Sequence, residues 1–335
     1  MPPVESGPAR DAPLSPARLA ALLSVSTLLV CLLAVHLGSV ALAPTRLWSA
    51  LLGGGDEVAR AIVWQVRLPR LAAAFACGAL LALSGAMLQV LLRNPLADPY
   101  LLGVSSGAAG GALIAMLLGA SAWMTDGASL AGAMIAAGTM LLLAWRAGGF
   151  DSARVILVGI SLTAAFGAVV AMVLAMAPAT RLPGMLYWLI GELRQDAPLV
   201  PAWIALTGVL AYAIARAEAL DLMSLGEIKA ASLGVAIVPL QAATLAVAAI
   251  AAVAAVSLGG AIGFVGLVSP HLLRLMGVTR QRMLLPGAAL LGGVLLTLAD
   301  TMARTLAAPT ELPVGAVMAV FGVPLLLYLL VRQDA

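Results

Sequence analysis

The stretch "QVRLPRLAAAFACGALLALSGAMLQVLLRNPLADPYLLGVSSGAAGG" (residues 65–111) decides how the rest of the chain is interpreted. It holds one apolar run, 69–91, and the beginning of a second, 100–119. Each run has about the 20 residues that a helix needs to cross the hydrocarbon of a bilayer. The polar turn between them contains Asn94 and Pro95, residue types that end helices. The stretch therefore predicts two membrane-spanning helices joined by a short turn.

Three glycines, Gly103, Gly107 and Gly111, lie four residues apart at the start of the second run. Small residues at this spacing let two helices approach closely in a membrane. We expect this stripe to serve packing and not binding.

The composition of the whole chain supports a membrane location. Of its 335 residues, 63% are hydrophobic and 10% are charged, and the mean hydropathy is +1.09, whereas about a quarter of the residues of a soluble domain are charged. The net charge of +3 gives no sign of nucleic-acid binding. Cys31 and Cys77 both lie in apolar runs, which argues against a disulfide or a cysteine metal site. The chain is predicted to be an all-α polytopic membrane protein.

About ten transmembrane helices are predicted, within a single domain at 19–335 that follows a polar tail at 1–18. The first apolar run is longer than the core of a signal peptide, so "ALA" at 41–43 is interpreted as part of an uncleaved span. Residues 184–191 are too few to cross and are predicted to form a short helix at the membrane face. The predicted spans are 19–43, 69–91, 100–119, 128–145, 155–177, 197–215, 237–258, 260–276, 284–303 and 313–331.

Lysine and arginine counts predict the orientation. With the N-terminus in the cytoplasm, 11 of the 18 basic residues fall on the cytoplasmic side and 7 on the other. Cytoplasmic loops carry the excess of basic residues, so both termini are predicted to be cytoplasmic.

A short charged segment interrupts the apolar runs in the second half of the chain. Ser224 and Glu227 have the spacing of a capping box, and Gly234 can end a helix in the left-handed conformation. This pattern predicts a cytoplasmic helix over Leu225–Leu233, within a segment at 224–234.

Two flanking apolar residues, Met223 and Ile228, have the spacing of a hydrophobic staple at the start of that helix. A helix of about nine residues is marginal in water and must pack against something. The pattern alone leaves two interpretations open: a surface helix folded on its own spans, or a docking helix for a soluble partner.

Motifs for chemistry are missing from the sequence. Lys229 is the only lysine and has no phosphate-binding glycine loop around it, so the chain is predicted to have no ATPase of its own. Asp300 lies inside a predicted span and could couple ions in a gradient-driven carrier, although Arg304 four residues later favours a local ion pair. His36 and His271 are far apart, and no metal, cofactor or catalytic residue is predicted.

Several segments together resemble the FecCD permeases, the membrane subunits of type II ABC importers for iron–siderophores, haem and vitamin B12. The resemblance covers roughly residues 60–332 and is nearest to the vitamin B12 permeases. It rests on five segments in order: 65–111, "LGEIKAASLGV" (225–235), "GAIGFVGLVSPHLLRLMG" (260–277), "LLPGAALLGGVLLTLADTMAR" (284–304) and "ELPVGAVMAVFGVPLLLYLL" (311–330).

The resemblance implies a type II importer permease fold and a homodimer of ten-span subunits in the bacterial inner membrane. Two separate ATPase subunits would bind its cytoplasmic face, and a periplasmic substrate-binding protein would bind the opposite face. The segment at 225–235 would then be the coupling helix. The positions carried over as ATPase-coupling residues are Leu225, Gly226, Glu227, Ala230, Leu233 and Gly234.

The resemblance also implies roles for individual residues. Arg67, Arg70 and Arg304 match arginines that pair with glutamates of the binding protein; lipid-headgroup anchoring is the alternative for each, and the Asp300 pair is a further one for Arg304. Ser152 matches the cytoplasmic gate only loosely. The implied substrate is a metal chelate, with a ferric siderophore first, vitamin B12 second and haem third.

Overall fold

The structure, a computed structural model, describes residues 16–146, 152–194 and 199–333. These residues form helices and connecting turns, and they contain no strand. The helices are α1 (Pro16–His36), α2 (Pro44–Leu51), α3 (Glu57–Ala61), α4 (Leu68–Leu91), α5 (Val104–Leu117), α6 (Ala122–Arg146), α7 (Ser152–Met176), α8 (Leu182–Ile190), α9 (Leu199–Ser224), α10 (Glu227–Ser232), α11 (Ile237–Gly259), α12 (Val265–Leu275), α13 (Gln281–Thr305) and α14 (Val314–Gln333).

The ten predicted spans correspond in order to α1, α4, α5, α6, α7, α9, α11, α12, α13 and α14, and this confirms the all-helical, polytopic fold. Within the described ranges, seven helices are long and apolar enough to cross a membrane. The longest of them is continuous from Glu57 to Leu91, because a π-helical segment joins α3 to α4. The short helix predicted at 184–191 is α8.

The core of the domain is built around α4. Every residue from Ala76 to Leu92 is buried, and the helix packs against α9, α11, α12 and α13. A helix that is apolar on all sides can face either lipid or other helices, and the many alanines and glycines of α4 let several helices pack closely against it. Close packing against α13 requires glycine, because a Cβ on Gly78 would overlap the carbonyl oxygen of Gly292.

The glycine stripe brings α5 against α6. A Cβ on Gly107 would lie 2.5 Å from the carbonyl oxygen of Gly132, and one on Gly111 would overlap that of Ala128. The packing prediction is confirmed for these two glycines. Gly103 instead precedes α5 and adopts a left-handed conformation with φ of +68°.

Several predicted helix ends differ from the structure; α6, for example, begins at Ala122 and not at residue 128. The first span was predicted to end at residue 43, whereas α1 ends at His36. The predicted span 260–276 is helical only from Val265, because Gly260 and Phe264 both have positive φ. The predicted span 197–215 continues as a helix to Ser224, which brings α9 directly to the charged segment.

Candidate coupling segment and docking surface

The charged segment at 224–234 contains a helix of six residues, α10, instead of the nine predicted. The capping box is wrong: the hydroxyl of Ser224 donates to the carbonyl oxygen of Asp221 within α9, and the N-cap of α10 is Gly226, with φ of +108°. Since no L side chain adopts this φ easily, Gly226 lets the chain turn sharply out of α9 into α10.

The C-terminal end of α10 has the predicted geometry. Gly234 has φ of +88°, and its N–H donates to the carbonyl oxygen of Ala231. The N–H of Val235 donates to the carbonyl oxygen of Ala230 at 3.0 Å. These two bonds form a Schellman motif, which satisfies carbonyls that the helix leaves unpaired.

Glu227 contacts the body of the domain. Its Oε1 accepts hydrogen bonds from the guanidinium of Arg93, at 3.1 Å, and from the amide of Gln241, at 3.2 Å. Arg93 follows the end of α4 and Gln241 lies near the start of α11. We call this end of the molecule the coupling end. The ion pair is about half exposed, so its contribution to stability is about 0–1 kcal/mol and its main effect is to position α10.

The outer side of the segment is apolar and exposed. The predicted staple is wrong, because Met223 is buried whereas Ile228 is 88% exposed, the largest value among the large apolar residues of the described ranges. Leu225 and Leu233 are also exposed beside Ile228, while Ala230 is buried against the domain. An exposed group of large apolar side chains outside the membrane spans marks an interaction surface.

The opposite end of the molecule holds a buried network of charges. The carboxylate of Asp300 accepts from Arg70 Nε at 3.0 Å and from Arg304 Nε at 2.9 Å. Arg70 also donates to Glu311 at 2.6 Å, and the hydroxyl of Ser39 donates to the same carboxylate at 2.8 Å. We call this end of the molecule the arginine end. The local pair between Asp300 and Arg304 is confirmed.

Arg67 belongs to the same end but binds backbone atoms. Its guanidinium donates to the carbonyl oxygens of Val35, His36 and Val40 at 2.6–2.9 Å. The last carbonyls of a helix have no partner inside the helix, and a cation there also interacts favourably with the helix dipole. The side chain of Arg67 therefore satisfies the C-terminus of α1, which explains why this helix ends before residue 43.

The carboxyl of Glu311 lies in the loop between α13 and α14. Burial raises its pKa, but the hydrogen bond from Ser39 and the positive charges of Arg70 and Arg304 outweigh burial, so the pKa is held below its usual value. The ionised carboxylate is the form that the network binds. The five side chains of Arg67, Arg70, Arg304, Asp300 and Glu311 together carry a net charge of +1, because Arg67 binds backbone carbonyls while the other two arginines pair with the two carboxylates.

The structure brings the three predicted docking arginines together at one end, each no more than 4% exposed. Their contacts within the chain are more extensive than the sequence indicated, since Glu311, Ser39 and the α1 carbonyls were not predicted. Of these, only Glu311 could have been recognised in the sequence, because a carboxylate directly before a span needs a partner. Ser152 is the first residue of α7, and Asp151 of the same "DSAR" segment lies outside the described residues.

An all-helical, multi-pass domain with an exposed apolar surface outside its spans has the features of a membrane transport permease. No group of three His, Cys, Asp or Glu able to hold a metal occurs within the described ranges. The chain matches the FecCD transport family over residues 26–332 and belongs to that family. This confirms the family predicted from the sequence.

Individual relatives agree with this assignment. The chain is 37% identical to the vitamin B12 import system permease protein BtuC of Salmonella paratyphi A over 316 residues, which cover 93% of this chain and 94% of that one. It is 37% identical to the protein of the same name from Escherichia coli O17:K52:H18 over 320 residues, covering 92% and 94%.

Solved structures show the same fold. An inward-facing metal-chelate type ABC transporter matches with a TM-score of 0.84 and 28% identity, over 95% of this chain and 99% of that one. PsaBC from Streptococcus pneumoniae, in complex with Fab, matches with a TM-score of 0.52 and 12% identity, over 86% of this chain and 95% of that one, which supports the fold alone.

Proposed function

We propose that this chain is the permease subunit of an ABC importer that moves a metal chelate across the bacterial inner membrane into the cytoplasm. It would act as a homodimer, with two separate ATPase subunits at the coupling end and a periplasmic substrate-binding protein at the arginine end. Both termini would be cytoplasmic, in agreement with the excess of basic residues on that side.

The observation that carries the proposal is the exposed apolar surface of Leu225, Ile228 and Leu233. These side chains stand on a segment held to the domain by polar contacts on its other side. A soluble ATPase subunit would bury them, and burying one such side chain contributes about 1.5–3 kcal/mol. The remaining predicted coupling positions support this surface: Gly226 and Gly234 make the turns, and Ala230 and Glu227 face the domain.

The contacts of Glu227 suggest how movement of the ATPase would reach the spans. A displacement of α10 acts through Arg93 on α4, the central helix, and through Gln241 on α11. Since α4 packs against four other helices in a densely packed core, it cannot move without repacking them. This arrangement favours a concerted change between inward- and outward-open states, with Ser152 proposed near the cytoplasmic gate.

Co-purification of the ATPase tests the coupling surface. Ile228→Asp should weaken the complex at least about tenfold, because it places a charge in an apolar contact. Leu52→Asp is the matched control, since Leu52 is 87% exposed and follows α2, near the arginine end. Equal retention of the ATPase by both variants would contradict the proposed surface.

Docking of the binding protein at the arginine end is proposed on the positive charge of Arg67, which exceeds the balanced charges of Arg70, Arg304, Asp300 and Glu311. Because the three arginines are buried, they would not contact the binding protein directly. They would hold the surface of this end in shape, and their positive electrostatic potential would attract acidic residues of the binding protein. The affinity of the binding protein should then fall with ionic strength and with Arg67→Gln, measured on a variant that melts as a folded protein. An affinity independent of both would exclude this role.

Vitamin B12 is proposed as the first candidate chelate, because relatives named for its import match over more than nine-tenths of the chain. This reverses the order expected from the sequence. A ferric siderophore is the second candidate, favoured by the match to a metal-chelate type transporter. A gradient-driven carrier is disfavoured, because Asp300 is bound to two arginines and is not a free carboxylate.

A further inference from the structure

A large groove opens between α6 and α11, beneath α8. Its volume is about 1040 Å³, above the range of about 300–1,000 Å³ for typical small-molecule sites. It runs along α6 from Gly127 to Leu141 and along α11 from Ala246 to Gly259. At 1.5 Å per residue each of these walls is about 20 Å long. The groove is therefore long and narrow, and it follows the direction of the helices.

Glycines, which have no side chain, keep the groove open. Gly127, Gly138 and Gly184 line it, and a Cβ added to any of the three would meet no atom within 4 Å. Most of the remaining wall is apolar, including Met134 and Ile250. Water is not expected to fill an apolar cavity of this kind.

The polar groups of the groove are gathered at one end. Asp126, Glu192 and Arg194 lie there, with Asp126 and Arg194 in an ion pair. The aromatic side chains Trp123 and Tyr187 lie at the same end. This is the arginine end of the molecule, because α11 starts at the coupling end, where Gln241 meets Glu227, and the groove's polar end adjoins its other terminus. Trp and Tyr are enriched where the hydrocarbon meets the headgroups, so the polar end has the composition of a membrane interface.

From this arrangement we propose that the groove binds one phospholipid whose headgroup carries an ammonium group, such as phosphatidylethanolamine. Both walls, α6 and α11, are able to cross a membrane, and the exposed apolar side chains Leu130, Met134 and Ile250 at the groove would face hydrocarbon. Its length exceeds the thickness of one leaflet, about 15 Å, and can take acyl chains lengthwise. Asp126 is paired with Arg194, and Arg181 at the same end donates to the backbone carbonyls of Met116 and Leu117, so the exposed carboxylate of Glu192 is the group that favours an ammonium headgroup over an anionic one.

A helix of a second copy of this chain is the competing occupant of the groove. Because α6 and α11 are in contact, a rigid helix about 10 Å wide cannot enter between them without moving them apart. Flexible acyl chains can fill the narrower space without moving α6 from α11.

The test measures lipid that remains bound to the full-length chain after purification in mild detergent, by native mass spectrometry. The unaltered chain should carry one phosphatidylethanolamine. Gly138→Leu should reduce its occupancy at least about tenfold, because the new side chain projects into the groove and obstructs the acyl chains. Gly167→Leu is the matched control: its Cβ also meets open space, on α7 outside the groove, and its lipid content should be unchanged.

The preference for one headgroup is tested by exchanging the bound lipid against a mixture of equal amounts of phosphatidylethanolamine and phosphatidylglycerol. The unaltered chain should retain the former, and Glu192→Gln should lose that preference while still binding lipid. Retained phosphatidylglycerol would refute the assigned headgroup. The site would be refuted if the unaltered chain carried no lipid, or if the Gly138→Leu variant carried as much lipid as the unaltered chain. Loss of the dimer in the Gly138→Leu variant, with its bound lipid unchanged, would also refute the site.

Discussion

The buried carboxylate of Asp300 gives the sharpest stability prediction. It is 1% exposed and receives hydrogen bonds from Arg70 and Arg304 at 3.0 and 2.9 Å. Asp300→Asn keeps the shape of the side chain but removes the negative charge between two buried cations. Arg70 keeps Glu311 as a partner, whereas Arg304 loses its ion pair.

Removal of one partner from a buried ion pair costs about 3–5 kcal/mol, because a buried charge is left without compensation. With about 2 °C per kcal/mol for a large domain, the melting temperature should fall by about 6–10 °C. The exposed pair of Arg46 and Asp56, at 3.8 Å, provides the control. Arg46→Gln should cost at most about 1 kcal/mol, or about 2 °C.

The assay is thermal unfolding of both variants in the same detergent, followed by uptake measured per folded protein. ATP-dependent uptake by the folded fraction of the Asp300→Asn variant should persist, because the carboxylate is structural. A melting temperature equal to that of Arg46→Gln would refute the reasoning about burial. An unchanged melting temperature with complete loss of uptake would instead indicate that Asp300 couples transport.

Three further predictions concern packing, pH and coupling. Gly111→Leu should lower the melting temperature by several degrees, because α5 must move away from α6, whereas Gly208→Ala, which meets open space, should be neutral or stabilising by up to about 1 kcal/mol. Because the pKa of Glu311 is lowered in the folded state, its ionised form stabilises the fold above about pH 4.3, and this contribution is lost as the pH falls through the lowered pKa. Melting curves between about pH 7 and pH 3 should therefore be flatter for Glu311→Gln, and equal slopes would contradict the network. Glu227→Gln should retain the ATPase but lower ATP-dependent uptake, since it weakens the link of α10 to Arg93 while leaving Ile228 in place; loss of the ATPase from this variant would show that Glu227 itself is part of the contact.

Hydrophobic run length was sufficient to predict most of the fold. A helix in a membrane must satisfy its own backbone, so an apolar run of sufficient length has few alternatives to a spanning helix. The centre of the bundle could not be recognised in this way, because α7 is as apolar as α4 yet largely exposed. The spacing of Gly107 and Gly111 indicated close packing of α5 against another helix, which is α6 in the structure.

Helix ends were less predictable because distant residues determine them. The end of α1 depends on Arg67, which lies about thirty residues further along the chain and donates to its last carbonyls. The start of α10 depends on a backbone turn at Gly226 and not on the local capping pattern of Ser224 and Glu227. Glu227 bonds to Arg93 instead, across 134 positions of sequence.

The charge network at the arginine end was also predicted only in part, because most of its contacts join residues that are distant in sequence. The pair of Asp300 and Arg304 is four residues apart on one helix, so spacing alone indicated it. The contacts of Arg70 with Asp300 and Glu311 join residues 230 and 241 positions apart, and only the packing of α4 against α13 brings them together.

The central claim is import of a metal chelate driven by a separate ATPase. The most direct measurement is uptake into proteoliposomes that contain this chain and its ATPase, with loaded binding protein outside and ATP inside. Labelled vitamin B12 and a labelled ferric siderophore would be compared in parallel. The proposal predicts ATP-dependent uptake of one chelate, with vitamin B12 first. Uptake of neither chelate, by a complex that holds its ATPase and binding protein and hydrolyses ATP, would contradict it.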